Sequence, residues 1–367
     1  MENGLRVLML TDGLAPWVTG GMQQHSAMLA KHLAPFCTEL VVAHCGRING
    51  EVPGEAEVRR ELGLGANVRL VAVPFVDRGR LPGHYVRASK AFSRSVRAAV
   101  GDVAGFDAVY AQGFTGWAFR DCPRLVVNLH GLEMFQPGFS RREVWAKSLL
   151  LPTARTLLLS AHTAISLGGR LTDLLHEVGV AAAAVAEIPN GIPGAWLTPR
   201  PTPRMPGPLR ALLIGRNEPR KGYDLLQAAL PALPAPIALD VVGPFPPFNP
   251  GRHDVTFHGT VTDRERIRAI LDASDVLLVP SRSEGMPTVI LEALARGRHV
   301  IATDVGATAA LLADAPGCRL IAPSASELTA ALADFAAAPP TPRRFDLSRY
   351  AWSRIAMDHA RLFQRLD

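Results

Sequence analysis

The strongest constraint on this chain is an alternation that runs twice along its length. Short segments apolar on both sides recur at 6–10, 39–43, 68–74, 107–110, 125–129 and 163–166, with helical amphipathic patterns at 23–33, 86–100, 141–159 and 170–179. Strands buried on both faces lack the polar-out alternation of a half-exposed sheet, and parallel strands need helical crossovers. The pattern therefore predicts a doubly wound α/β sheet.

At 197–208 the sequence reads LTPRPTPRMPGP, whose five prolines remove backbone donors and forbid a continuous helix. The alternation then restarts: an apolar run at 209–214, a helix from Lys221, a run at 237–242, a helix from Asp263, a run at 276–279, a helix from Met286 and a run at 299–302. A length of 367 residues suits two such domains. The expected division is 1–196, a linker or hinge at 197–208, a second Rossmann-like domain at 209–346, and an amphipathic C-terminal helix at 347–367. That helix carries Trp352, Ile355, Ala356, His359, Leu362 and Phe363 on helical spacing.

Four stretches carry chemistry. In Ser281-Arg-Ser-Glu284-Gly285-Met286-Pro287-Thr288-Val289-Ile-Leu-Glu292, a strand runs through a Gly-containing turn into a helix. Free N–H groups at such a helix start, with the positive dipole end, suit a phosphate. Glu284 and Glu292 would repel that anion unless they bind neutral hydroxyls, such as those of a sugar and a ribose. Taken alone, the segment equally describes a surface helix with capping glutamates. In Gly215-Arg216-Asn-Glu-Pro-Arg-Lys221-Gly222, the planar fork of Arg216 and the point charge of Lys221 can reach one pyrophosphate from two sides. Thr19-Gly20-Gly21 permits close backbone approach ahead of a helix, and Asn128-Leu-His130-Gly-Leu-Glu133 lies at the carboxyl end of a predicted strand. An isolated Arg and Lys pair, or a lone His, also fits a purely structural role.

Several classes are disfavoured. The full G-x-G-x-x-G spacing is absent, which argues against a nicotinamide cofactor. No D-x-D triplet, G-x-S-x-G or P-loop occurs, which lowers metal-dependent sugar transfer, serine hydrolysis and P-loop phosphoryl transfer. Neither a structural metal nor a cofactor is expected. Net charge is +6, but with 6% aromatic residues and no recognisable module, nucleic acid is not an expected partner. Cysteines at 37, 45, 122 and 318 lack C-x-x-C spacing and suit reduced thiols, so a cytoplasmic setting without a secretion signal is expected. Pro152, Arg155 and His162 interrupt the apolar stretch 148–167, so no transmembrane helix is expected.

Taken in order, Gly20-Gly21, His130, AISLGG ending at Gly169, IPNGI with Asn190-Gly191, GRNEPRKG, FHGTV with His258-Gly259, and EGMPTVILEA resemble glycosyltransferase family four. That family is retaining and has the GT-B fold: two Rossmann-like domains facing each other across a cleft, the C-terminal helix packing back on the first. The resemblance implies an N-terminal acceptor-binding domain and a C-terminal domain for a UDP-, GDP- or other nucleotide-sugar donor. It implies that Glu284 binds the donor sugar hydroxyls and Glu292 the ribose. Asn190, Gly215 and the backbone of Gly285, Met286, Thr288 and Val289 join the donor site. Arg216 and Lys221 stabilise the departing diphosphate, Gly20 and Gly21 meet it from the N-terminal side, His130 sits by the sugar ring, and Val261 lies near the base. The implied reaction transfers a hexose-type sugar to a hydroxyl of a glycan, lipid-linked sugar or small molecule, as in cell-surface glycan, glycolipid or natural-product biosynthesis. Where the family often has Asp after Asn-Gly-Ile, this chain has Pro193. The alternatives are an idle sugar-nucleotide-binding scaffold and an epimerase or phosphorylase of the same fold.

Between Arg78 and Arg97 lie six basic residues and no acidic one. On a helix from Val86, Arg87, Lys90, Arg94 and Arg97 share one face, with Ala88, Phe92, Val96 and Ala99 largely on another. Such a face suits either an anionic membrane surface, with the protein peripheral on its inner side, or plain solvation over a core stripe.

Overall fold

The computed structural model describes residues 4–18, 20–45, 53–76, 79, 83–197 and 200–366. Thr19, Arg78, Arg80 and positions 198–199 of the proline-rich stretch lie outside the described residues. The chain divides into two compact units, the first comprising Met1–Gly191 with Tyr350–Asp367, the second Ile192–Arg349.

The first unit holds seven parallel strands: β1 (Leu5–Leu10), β2 (Cys37–His44), β3 (Val68–Ala72), β4 (Ala108–Gln112), β5 (Leu125–Asn128), β6 (Thr163–Ser166) and β7 (Val185–Glu187). Their spatial order is β3-β2-β1-β4-β5-β6-β7. Val7 of β1 pairs with Leu40 on one side and Ala108 on the other. Every residue of β4 and β5 is buried, as expected of central strands covered by helices on both faces. The helices are α1 (Gly21–Leu33), α2 (Glu55–Leu62), α3 (His84–Val100), α4 (Arg141–Ser160) and α5 (Arg170–Val178). Periodicity did not reveal α2, because Val58 is its only buried residue. In α3 the buried stripe is Val86, Ala88, Phe92 and Val96, but Ala99 is exposed. The stripe advances by four from Val96 to half-buried Val100, which carries Ala99 off the core side.

The second unit holds β8 (Arg210–Ile214), β9 (Ala238–Val242), β10 (Asp254–Gly259), β11 (Val276–Val279), β12 (His299–Thr303) and β13 (Arg319–Ile321). They run parallel in the order β10-β9-β8-β11-β12-β13. Its helices are α6 (Tyr223–Ala229), α7 (Arg264–Ala273), α8 (Thr288–Ala295), α9 (Thr308–Leu312) and α10 (Ala325–Ala337). The helices expected from Lys221, Asp263 and Met286 start one to two residues later. Lys221 closes a 3-10 turn, Asp263 caps α7 by accepting the Glu265 N–H at 2.9 Å, and Pro287 caps α8.

The proline-rich stretch falls inside the second unit, and the unit boundary lies upstream of it at Gly191. Buried Arg298 donates to the Thr202 carbonyl at 2.7 Å, and Arg204 lies 3.3 Å from Asp275. Prolines shape a strap here, while two arginines fasten it.

The last helix, α11 (Trp352–Phe363), belongs to the first unit and packs on α1. Trp352, Ile355, Ala356, His359, Ala360 and Phe363 form its buried face, and Leu362 is half-buried beside them. Ile355 and Phe363 each contribute about 1.5–3 kcal/mol by burial. Among the described residues no helix is long and apolar enough to cross a membrane.

Both sheets wind outward in two directions from their first strand. Strand order reverses between β1 and β4 in one unit and between β8 and β11 in the other. Open α/β sheets bind ligands outside the carboxyl ends of strands at such switch points.

Candidate functional site

At the β8–β11 switch point the two strand ends lead into the segments singled out by sequence. After β8 the chain passes Gly215 and Arg216 and makes the 3-10 turn Pro219–Lys221. Gly222 follows in the left-handed region at φ +68°, packed so close that a Cβ would collide with the Pro280 carbonyl. This contact presses the turn against the end of β11 and brings Lys221 to Glu284.

Glu284 is 4% exposed and bound on both oxygens. Lys221 Nζ donates to Oε1 at 2.6 Å, Ser281 Oγ to Oε1 at 2.7 Å, and Arg220 to Oε2 at 3.1 Å. A carboxylate this buried is stable only with such compensation, and the three donors hold it in one orientation. Sequence reasoning paired Arg216 with Lys221, but the arginine that meets Glu284 is Arg220. Arg216 is 74% exposed and turns to Glu218 at 3.1 Å. The difference lies in the turn: Pro219 starts it, so residues 220 and 221 project together, whereas Arg216 precedes it. The adjacent Arg-Lys pair after a proline was the available signal for Arg220, and a Ser three residues before the Glu was the signal for Ser281.

Gly285, half-buried, accepts from the Ala307 N–H at 2.8 Å, and Met286 is buried. Thr288 and Val289 form the first turn of α8, whose leading N–H groups have no helical acceptor. An anion is favoured there. Glu292, one turn further on, is half-buried, and burial pushes its carboxyl up to about 7 against a smaller opposing pull from Arg264. Gly215 donates to the Val242 carbonyl at 3.0 Å, and Val261 is half-buried just beyond β10.

His130 lies beyond the end of β5, in a loop where both it and Leu132 take left-handed backbone at φ +61° and +52°. Two such non-glycine residues so close together persist only where surrounding contacts dictate them. The His130 N–H is taken by Asn128 Oδ1 at 2.8 Å, and its Nε2 lies 3.1 Å from Gln112 Oε1. Facing that carbonyl oxygen, Nε2 carries the proton and Nδ1 keeps its lone pair. Burial, with help from His359, lowers the His130 pKa to about 3, so the ring is neutral near pH 7. Gly21 opens α1, exposed, with no atom within 4 Å of where a Cβ would stand, so its backbone is open to close approach. Asn190 is buried and its Oδ1 meets His25 Nδ1 at 2.9 Å.

Sequence reasoning passed over Asp12, just past β1. Burial raises its carboxyl to about 6, and Gln23 of α1 donates to it at 2.9 Å. On α3, Lys90 lies 3.7 Å over the Trp117 ring and Arg97 lies 3.3 Å from Asp121. Arg87 and Arg94 are exposed.

Two doubly wound parallel-sheet units are the architecture of GT-B glycosyltransferases, and the comparisons agree. Residues 19–196 match the family described as Glycosyltransferase Family 4, and residues 208–337 match Glycosyl transferases group 1. The chain belongs to glycosyltransferase family four. It is 34% identical over 160 residues to the phosphatidyl-myo-inositol mannosyltransferase of Propionibacterium freudenreichii, which covers 42% of this chain and 41% of that protein. Its matches span 26% to 49% of the lengths of the curated relatives. Among solved structures, sucrose-phosphate synthase from Thermosynechococcus elongatus superposes with a TM-score of 0.73 at 20% identity, covering 99% of each chain. HepE from Anabaena in complex with UDP-glucose gives 0.61 at 16% identity, covering 99% of this chain and 96% of that one. Both likenesses concern the fold.

Proposed function

We propose that this protein transfers a hexose-type sugar from a nucleoside-diphosphate sugar to a hydroxyl acceptor, with retention at the anomeric carbon and without a metal ion. The observation that carries this reading is the Glu284 cluster at the β8–β11 switch point. It places a fixed carboxylate, two cations and a free helix start within one short stretch of surface. A carboxylate fixed by Lys221, Arg220 and Ser281 accepts sugar hydroxyls, and the start of α8 takes the phosphates. Lys221, joined by Arg216 swinging from its exposed position, neutralises the diphosphate as it leaves. This preorganised charge is the main catalytic term. Glu292 accepts from the ribose, while Gly215 and Val261 line the nucleotide end. A relative of the same fold, HepE, was solved with UDP-glucose, which supports a donor of that class.

The bond from the anomeric carbon to the phosphate oxygen breaks with oxocarbenium character. The acceptor oxygen attacks from the same face, and its proton passes to the leaving phosphate. Within the first unit, neutral His130, whose Nδ1 accepts a hydroxyl hydrogen bond, and the open backbone at Gly21 are the groups that meet substrate. The acceptor is a glycan, a lipid-linked sugar or a small molecule. Arg87 and Arg94, both exposed on the basic face, suit anionic lipid at the cytoplasmic side of a membrane.

Thermal shifts with UDP, GDP, ADP and their sugars identify the donor, since ligands of the folded state raise its apparent stability. Turnover of that donor, lost in Glu284→Gln, supports transfer. A protein that binds the nucleotide sugar but never turns it over is a scaffold, and the transfer reading then fails. Mass-spectrometric capture of a glycosyl-enzyme adduct would overturn same-face attack. Absence of co-sedimentation with phosphatidylglycerol vesicles at low salt would overturn the membrane reading.

A further inference from the structure

Beneath the His130 loop lies a chain of buried polar side chains for which catalysis as described has no use. Asn128 Oδ1 accepts the His130 N–H at 2.8 Å, and Asn128 Nδ2 donates to Tyr110 Oη at 3.1 Å. Tyr110 Oη lies 3.2 Å from His25 Nε2, and His25 Nδ1 lies 2.9 Å from Asn190 Oδ1. Asn190 offers an oxygen, so His25 carries its proton on Nδ1 and must accept at Nε2. Tyr110 therefore donates to His25, which leaves its oxygen lone pairs for Asn128. All four bonds point one way, from the His130 N–H to the Asn190 oxygen, and bonds so aligned polarise one another.

The inner members are sealed from water: Asn128 and Tyr110 are 0% exposed and His25 2%. Burial holds the His25 pKa well below its ordinary value, so the ring stays neutral and the chain keeps its direction. At its far end Asn190 precedes Gly191, the last residue before the chain leaves the first unit. A Cβ on Gly191 would come within 2.6 Å of the Trp352 ring, next to Tyr350, where the chain returns. The His130 loop is thus tied, bond by bond, to Asn190, whose neighbour Gly191 lies against the Trp352 ring.

We infer that Tyr110, His25 and Asn190 are positioning residues that hold His130 in its left-handed conformation through this one-way chain. The inference rests on the reading of His130 as a substrate-binding group, but its first test does not need that reading. Amide hydrogen exchange reports whether the His130 N–H is held. Tyr110→Phe removes the bond in the middle and should raise exchange at His130 about tenfold, the equivalent of one lost hydrogen bond.

Two substitutions at His25 separate the halves. His25→Gln keeps an oxygen near the Nε2 position to accept from Tyr110, whereas His25→Asn keeps only a donor towards Asn190. Protection at His130 should survive in His25→Gln and fall in His25→Asn. For UDP-glucose turnover, kcat should fall about tenfold in Tyr110→Phe and His25→Asn. It should be restored in His25→Gln, with UDP affinity unchanged throughout. Unaltered exchange in Tyr110→Phe, or equal losses in Gln and Asn at position 25, would overturn the inference. Should Tyr110→Phe not fold, the position 25 pair carries the same contrast. Wild-type turnover in His130→Ala would instead remove the substrate role of His130, and the exchange result would still decide the positioning.

Discussion

Lys221 Nζ stands 2.6 Å from Glu284 Oε1, so the cation proposed for the leaving diphosphate is aimed by the carboxylate proposed for the sugar. On that proposal one contact couples the two functions. Glu284→Gln, which keeps the shape and removes the charge, should lower donor turnover by about 100-fold or more, in the range of a lost transition-state contact. The donor's nucleoside diphosphate, which lacks the sugar, should bind with nearly unchanged affinity. Initial rates and calorimetry on the same preparation check both halves.

The two arginines of this turn should separate stability from chemistry. Arg220 is 18% exposed and holds buried Glu284, so Arg220→Ala leaves that carboxylate short of a partner and should cost about 1–3 kcal/mol. Arg216 is exposed, so Arg216→Ala should leave the melting temperature within about 1 °C, since such surface changes stay near zero. Its effect should fall on kcat alone. Thermal melts beside steady-state rates distinguish the variants.

Burial pushes Glu292 up to about 7 from an ordinary 4.5. If Glu292 holds the ribose as proposed, the ribose hydroxyls donate better to the ionised carboxylate, so affinity for the donor's nucleoside diphosphate should rise as pH rises through 7, and Glu292→Gln should abolish the slope. The stability sign is the reverse. The folded protein holds this proton more tightly than the unfolded chain, so the contribution is full below about 4.5 and lost as pH rises to 7. Wild type should therefore lose ground to Glu292→Gln across that window, as measured by melts at pH 5 and pH 7.5.

The first unit should be acid-sensitive. Burial lowers His130 to about 3 and His359 to about 4, and it holds His25 well below 6.5. Below about pH 6.5 the unfolded chain takes up these protons first, so stability is full above that pH and falls towards 4. Asp12, raised from 3.8 to about 6, works in the opposite sense over its own range, one group against five once His32 and His44, also lowered by burial, are counted. Circular dichroism melts should show a falling midpoint between pH 6.5 and pH 4.5. His359→Leu should shallow the slope.

Much of the fold was legible because it rests on patterns the backbone enforces locally. Runs such as 125–127 and 276–279 are apolar at consecutive positions, which only a strand covered on both faces tolerates, and both became strands. Helix α2 was missed because one buried valine makes no stripe, and Ala99 was misplaced because a helix of 3.6 residues per turn drifts off a fixed spacing. The segment Glu284–Glu292 was legible as a strand, turn and helix start, and Lys221 as its partner. Arg220 was not, because which of two nearby arginines reaches a carboxylate depends on where a turn begins.

The sequence by itself determined two doubly wound parallel-sheet units, a proline-interrupted stretch near 200, an amphipathic last helix and the ordered motifs of the family, since hydrophobic periodicity and backbone chemistry act over a few residues. Tertiary structure alone decided that the proline-rich stretch is fastened to the second unit, that Glu284 is bound by three donors, and that His130 ends a buried chain through Asn128, Tyr110 and His25 to Asn190. Those partners are distant along the chain, 165 positions for His25 and Asn190. No local pattern records such a pair; it exists only because close packing excludes water and leaves each buried polar atom to find its partner among whatever residues the fold brings near.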